Sequence, residues 1–377
     1  MVNMRLLYNP FYLYVITFST SLFFFSLHWS GLYPELNSSL LFFFLLTFMF
    51  SILFGILYDK GFKVERFNTK IVVKRNDFLY AFIVISIIVE FIYTKGIPIL
   101  MLSDAGIEYN YKDFGIKTFH VFIFTLISFY TLFLFQRLLQ TKKIVVFIKF
   151  LSLYIYPILI MNRGSLVIIS IGMILIYIIL KRKIRLQKLL FLLLFLVSLL
   201  YVFGLLGNIR QNDKNYMMRI SEPTDEFTNS NIPSEFMWSY IYVSSPVATL
   251  QLNMEKRADL DLPSFITGSI LPDFISKHLR DGPIEIKKIK NWLTVGTVYS
   301  KAYHSLGWVG VWCMFFLMSI FTLVYTYLLP KNSPYSLIGY SVLLTIIIFS
   351  VFSNMWVFSG LSLQLIYPFI LGRFKLA

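Results

Sequence analysis

Long apolar runs alternate with short polar breaks along most of the chain. Runs of about 16–21 residues recur at 11–29, 38–58, 78–95, 118–137, 146–161, 165–180, 188–206, 308–329, 335–352 and 355–372. A helix of ~20 residues crosses a ~30 Å hydrocarbon core, so each run predicts a membrane span. Only one break is long, at about 207–303. Composition agrees: 57% of the 377 residues are hydrophobic and 14% are charged, far too few polar side chains to cover a soluble domain of this size. The predicted fold class is all-α, a polytopic integral membrane protein with about ten transmembrane helices. The first run is expected to stay as a span, because no small-residue cleavage site follows it. The one cysteine, Cys313, lies inside an apolar run and excludes an intrachain disulfide. It reads as a small helix-packing residue.

The formal charge of +15 changes meaning once it is mapped on this topology. With the N-terminus inside, the cytoplasmic segments are 1–10, 59–77, 137–149, 181–188, 330–334 and the tail from 373. They hold 19 basic residues against three acidic ones, and the rest of the chain is nearly neutral. The excess is a positive-inside signal and calls for no nucleic-acid partner. Both termini are then cytoplasmic, and the segment 207–303 lies outside. Its predicted organisation is a seven-helix membrane region (1–206), a large exterior loop (207–303) and a three-helix membrane region (304–377).

The exterior loop carries eleven basic and eleven acidic residues. Its stretch EFMWSYIYVSSPVATLQLNM (235–254) predicts a helix with buried aromatics, so the loop is structured and not a linker, as functional loops of this length usually are. A second exterior segment, 95–120, starts with the helix-ending Gly96 and Pro98 and is apolar at Ile97–Leu102, which predicts a partly re-entrant path. A third is a turn of two or three residues at Arg163.

Several chemistries lack their motifs. There is no nucleotide-binding glycine loop, no CxxC or His-x-x-x-His pair and no Gly-x-Ser-x-Gly elbow, and His28, His120, His278 and His304 are far apart in sequence. No metal and no cofactor is expected. Ionisable residues inside the runs are nearly missing, Glu90 being the main exception, which argues against a proton-coupled carrier. No internal repeat supports a transporter built from duplicated halves.

Arg163, Arg210, Arg219, Arg257 and Arg280 all fall on the exterior side. A guanidinium presents a rigid fork of donors that matches phosphate bidentately and does not titrate. Arginines at span ends also snorkel to head groups. Arg163 and Arg210 stand out because the positive-inside bias disfavours them there. The segment NWLTVGTVYSKAYHSLGWVGVW (291–312) is the second constellation. Tyr299, Tyr303 and Gly307 are spaced by four and share a helical face. His304 has the chemistry of a general base, although aromatic-rich interfaces are also ordinary membrane anchors. Asp104, Glu108, Asp113, Asp273, Asp281 and Glu285 are exterior carboxylates that suit solvation, a base role or hydrogen bonding to sugars. Trp238, Tyr240, Tyr242 and Trp292 suit sugar stacking and plain packing equally.

With these residues in view, the chain resembles the bacterial O-antigen polymerase (Wzy) family of oligosaccharide repeat-unit polymerases. KGIPIL (95–100) with YNYKDFGIKTFHV resembles the family's first exterior loop, NRGSL (162–166) its Arg-Gly turn, and FGLLGNIR (203–210) its helix end before the large loop. NWLTVGTVYSKAYHSLGWVG (291–310) resembles the run into the next span. Where many relatives have Asp-Phe-Gly before the last glycine, this chain has His304-Ser305-Leu306-Gly307. The resemblance implies a GT-C-like, inverting, metal-independent glycosyltransferase of the bacterial inner membrane, working at the periplasmic face in lipopolysaccharide or capsule synthesis. Its substrates would be oligosaccharides on undecaprenyl diphosphate, and a membrane chain-length regulator would be a possible partner. On that reading Arg163, Arg210, Arg219 and Arg280 hold the diphosphate, Arg210 and His304 act in catalysis, and Trp292, Tyr299 and Tyr303 contact glycan. Three rivals remain: an O-antigen ligase, which shares the topology and an outward histidine; a lipid-linked oligosaccharide flippase without chemistry; and a structural membrane scaffold, which gives no reason for the exterior arginines.

Overall fold

The computed structural model describes residues 2–62, 67, 78–101, 114–255, 260–279, 282, 284–293 and 295–374. The chain is mostly helical. Its longer helices are α1 (Pro10–Ser26), α2 (Ser38–Gly61), α3 (Phe78–Tyr93), α4 (Phe119–Thr141), α5 (Ile144–Tyr154), α6 (Arg163–Lys181), α7 (Leu186–Gln211), α8 (Phe236–Met254), α9 (Ser300–Leu328), α10 (Ser336–Phe349) and α11 (Tyr367–Phe374). Among the described residues, six helical stretches are long and apolar enough to cross a bilayer, and four shorter apolar ones stand at other predicted span positions. This architecture is compatible with a polytopic membrane protein. The last expected span, 355–372, is broken into Ser359–Ser362, a 3-10 turn and α11.

Local chemistry fixes several helix starts. Asn9 caps α1, its side chain accepting from the backbone N–H of Phe11 and Tyr12, with Pro10 in the first turn. Asn37 caps α2 through Ser39 N–H, and Asn162 caps α6 through Ser165 N–H. The helices themselves are apolar nearly all round, the pattern of segments without a water-facing side. Phe191 and Leu194 on α7 are 71% and 66% exposed, which water would penalise and lipid would cover.

The contacts divide the chain into two compact units. The first comprises Met1–Lys63, Arg185–Tyr327 and Ile346–Ser362. Here α1 packs on α2, and α8 packs on both α1 and α7. Ser21 Oγ donates to Val243 O at 2.6 Å, and Trp238 Nε1 donates to Asn208 Oδ1 at 2.7 Å. A Cβ on Gly204 would fall on the carbonyl of Glu235, so α7 and α8 touch backbone to backbone there. The predicted helix in the long segment is thus present, and it is buried against the apolar helices on most of its length.

The second unit comprises Val64–Ile184, Leu328–Thr345 and Leu363–Ala377. Its centre is α4, most of whose residues from Ile123 to Gln136 are buried, with α3, α5 and α6 packed on it. Thr125 Oγ1 and Tyr367 Oη pair at 2.6 Å, and Ser341 Oγ donates to Gly172 O at 2.9 Å. These buried hydroxyls are all satisfied by partners within the unit.

Candidate functional site

In the first unit, the segment before α9 does not stay outside the helices. Gly296 N–H donates to Phe352 O at 3.1 Å and Val298 N–H to Ser350 O at 2.8 Å, so 296–298 is stitched to the chain beyond α10. The next residue, Tyr299, is fully buried, its hydroxyl 2.7 Å from Tyr14 Oη, which in turn donates to Thr47 Oγ1. Helix α9 starts at Ser300 and breaks at Gly307, whose φ of 59° and ψ of −143° are open to glycine alone. At ~1.5 Å per residue, Ala302 and Gly310 would stand ~12 Å apart in a straight helix. Instead the Ala302 carbonyl lies against Gly310. The Phe43 ring likewise meets Tyr299, Trp308 and Trp312, with centroids 5.1, 5.7 and 5.2 Å away. The chain therefore rises from Tyr299 through one short helix, reverses at Gly307, and runs on as the long part of α9. The expected span start at 308 is the start of that second limb, and the preceding limb folds into the bundle.

This hairpin forms one wall of a polar cleft of about 520 Å³, lined by Ile284, Glu285, Ile286, Lys288, Asn291, Gly296, Thr297, Ser300, Lys301, Ser353 and Asn354. Thr297, Ser300 and Asn354 are buried. Thr297 Oγ1 accepts from Tyr299 N–H, and Asn354 is held by Ser269 O at 2.9 Å and Trp356 N–H at 3.2 Å. Ser300 Oγ has no hydrogen-bond partner among the described residues. A buried hydroxyl in that state costs free energy until a polar ligand or water meets it. Two lysines and one glutamate give the lining a net positive charge.

The residues singled out from sequence scatter with respect to this cleft. Tyr299 is a correction: with no exposed surface it cannot stack on a sugar, and its role is to anchor the hairpin to Tyr14. Tyr303 is also nearly buried, donating to Met254 O at 3.2 Å with its ring edge-on to Trp308. Trp292 is half-buried beside the lining residue Asn291, and His304 is half-buried one helical turn beyond Lys301. Arg210 is half-buried in the last turn of α7. Arg219 is 69% exposed and paired to Asp213 at 2.8 Å, a solvated ion pair of the kind that contributes little. Arg280, Arg257, Asp104, Glu108, Asp113 and Asp281 lie outside the described residues. Asp273 accepts from the backbone N–H and hydroxyl of Ser359, while Glu285 lines the cleft. Sequence reasoning missed Lys288, Ser353 and Asn354; the polar pair 353–354 between two greasy runs was the available signal.

Arg163 belongs to the second unit. It is the first residue of α6, 6% exposed, reached through Met161 in the left-handed region at φ 59°. The same unit holds the one cluster of ionisable side chains that sequence reading had noted only as an exception. Glu90 on α3 is fully buried. His120 Nδ1 lies 2.9 and 3.1 Å from its two carboxylate oxygens, and Tyr156 Oη donates to Oε2 at 2.7 Å. Searches of known protein families, of curated proteins and of solved structures find no match to this chain.

Proposed function

We propose that the chain is an oligosaccharide repeat-unit polymerase of the Wzy type, moving a growing glycan from undecaprenyl diphosphate to a lipid-linked repeat unit at the periplasmic face of the inner membrane. The observation that carries this reading is the polar cleft. In a chain this apolar, a cavity of about 520 Å³ walled by hydroxyls, amides and lysines is costly unless something polar fills it. Its volume lies in the ~300–1,000 Å³ range of ligand sites, enough for a few sugar rings. The positive-inside count puts the segment that builds it on the extracytoplasmic side. A carrier that only flips its cargo would need no such built cleft on one face.

The reaction fits the charges. As the bond from the anomeric carbon to the diphosphate breaks, its electron pair leaves with the diphosphate, and guanidinium groups aimed at that charge supply the largest share of catalysis. Arg210, in the last turn of α7 and in the same unit as the cleft, suits that task; Arg163 is a diphosphate candidate on the resemblance alone. The lysine-bearing cleft suits the glycan.

Deletion of the gene in the source strain tests the reading. Gel-resolved polysaccharide is expected to show the lipid A-core capped by a single repeat unit. Absence of any cap, with polymer accumulating on the carrier, would instead identify a ligase; unit-length intermediates held inside would identify a flippase. In the deletion strain restored with Ser300→Ala, the protein is expected at normal abundance with shortened chains.

A further inference from the structure

The donors of the cleft outnumber its acceptors, and that imbalance points to a class of ligand. We propose that the cleft is a subsite for a carboxylate-bearing sugar, whose oxygens accept from the Thr297 and Ser300 hydroxyls and from the ammonium groups of Lys288 and Lys301. The place of that sugar in a repeat unit rests on the transferase reading above; its binding does not.

Every lining residue belongs to the first unit, so the site is complete within it. Ser300 is 1% exposed, and its Oγ meets no partner among the described residues. Thr297 Oγ1 accepts from Tyr299 N–H, and its own hydrogen is committed to no acceptor among the described residues. Asn354 gives one amide hydrogen to Ser269 O and accepts from Trp356 N–H, which leaves a second hydrogen on Nδ2. Glu285 is the one acidic residue of the lining, against two lysines. A neutral sugar brings a donor with every hydroxyl, whereas an ionised carboxylate only accepts. Hydrogen bonds to such a group are of the short, strong kind.

The surroundings hold these donors in place and keep them open. Lys287 and Lys290 are paired to Glu255 and Glu222, at 3.9 and 3.0 Å. Lys288, between them, lines the cleft and has no ion pair among the described residues. Its backbone is anchored one residue earlier. There Asn253, buried near the end of α8, accepts from Lys287 N–H at 2.9 Å and donates to Lys287 O at 2.8 Å. Gly296 supplies room. Its φ lies outside the left-handed region, so the backbone does not call for glycine. A Cβ there would instead stand 2.9 Å from Ser300 Oγ and 3.1 Å from Ile286 Cδ1, filling the space in front of the hydroxyl. Buried donors without acceptors are costly, and a cleft that keeps two of them open beside lysines fits an anion.

Binding is read on the purified full chain in detergent, as the shift of its unfolding temperature with sodium glucuronate, glucose or sodium pyrophosphate at constant ionic strength. Glucuronate is expected to raise that temperature saturably, and glucose at the same concentration to leave it unmoved. Lys288→Gln and Ser300→Ala should each weaken the apparent affinity for glucuronate about tenfold or more, and Gly296→Ala should abolish the shift. Lys288 is exposed, so Lys288→Gln decides alone should a buried variant fail to accumulate. Equal shifts with glucose and glucuronate, no shift with glucuronate, or an affinity unweakened in Lys288→Gln would each overturn the subsite. So would a shift with pyrophosphate alone that the same variants erase, which would give the cleft to the carrier's diphosphate. The polysaccharide that disappears on deletion of the gene is expected to contain a carboxylate-bearing sugar. A wholly neutral polymer would overturn the subsite and leave the transferase reading standing. A polymer unaffected by deletion would refute the transferase reading, and the glucuronate shift would then decide the subsite by itself.

Discussion

Alanine at Arg163 is expected to abolish long glycan chains while the protein still inserts, and Arg210→Ala is expected to do the same. Arg163 is 6% exposed, in surroundings where a guanidinium acts far more strongly than it would in water. Its position as the first residue of α6 sets it at the positive end of the helix dipole. Removing one preorganised donor of this kind costs about 10²–10³-fold in turnover. Polymerisation competes with export of unfinished units, so a loss of that size should collapse the ladder to single repeats. Arg163→Lys keeps the charge but not the two-pronged geometry, and should restore only short chains. The readout is the polysaccharide gel beside a blot for the protein. Normal ladders in both alanine variants would remove these two arginines from the reaction.

The second large effect concerns the hairpin that carries Ser300 and Lys301. Gly307→Ala places a side chain at φ 59°, ψ −143°, a region that costs about 1–3 kcal/mol for other residues. Gly310→Ala drives a Cβ onto the Ala302 carbonyl, a backbone atom that cannot swing aside. Overpacking of that sort costs about 1–3 kcal/mol or more, because the two limbs must part. Each variant should lower the unfolding temperature of the detergent-purified protein and shorten the chains it makes, since the cleft wall moves with the limbs. Gly61→Ala is the control: nothing lies within 4 Å of its added methyl group, at the last residue of α2. An unfolding temperature unchanged in Gly307→Ala and Gly310→Ala would mean that the reversal at Gly307 is not there.

The division between what the sequence disclosed and what it hid follows the range of the interactions involved. Apolar runs of spanning length are local, and helices stand where they predicted them. Asn9-Pro10 and Asn162-Arg163-Gly164 are likewise short-range signals, and the stretch 235–254 shows helical patterning that became α8. The hairpin was hidden for a specific reason. Tyr299, Tyr303 and Gly307 read as one continuous helical face, and only the positive φ of Gly307, which no spacing reveals, turns the chain back. Tyr299 looked like an exterior aromatic because its partners, Tyr14 and Thr47, are 285 residues away in one case and reached through it in the other. The ion pair of Arg219 with Asp213 spans six residues and was within reach of sequence reasoning. Glu90 was conspicuous as a lone ionisable residue in a span, but its partners His120 and Tyr156 are 30 and 66 residues on and join it only through packing.

Everything proposed for this chain requires the cleft to open outside the cell membrane. Cysteine accessibility in spheroplasts measures that directly, with the exposed native thiol removed by Cys313→Ser. Asn291→Cys, at the cleft, is expected to react with a membrane-impermeant maleimide in intact spheroplasts, and Lys183→Cys, in the loop between α6 and α7, only after they are permeabilised. An Asn291→Cys protein that stays unlabelled until the membrane is opened would contradict the account.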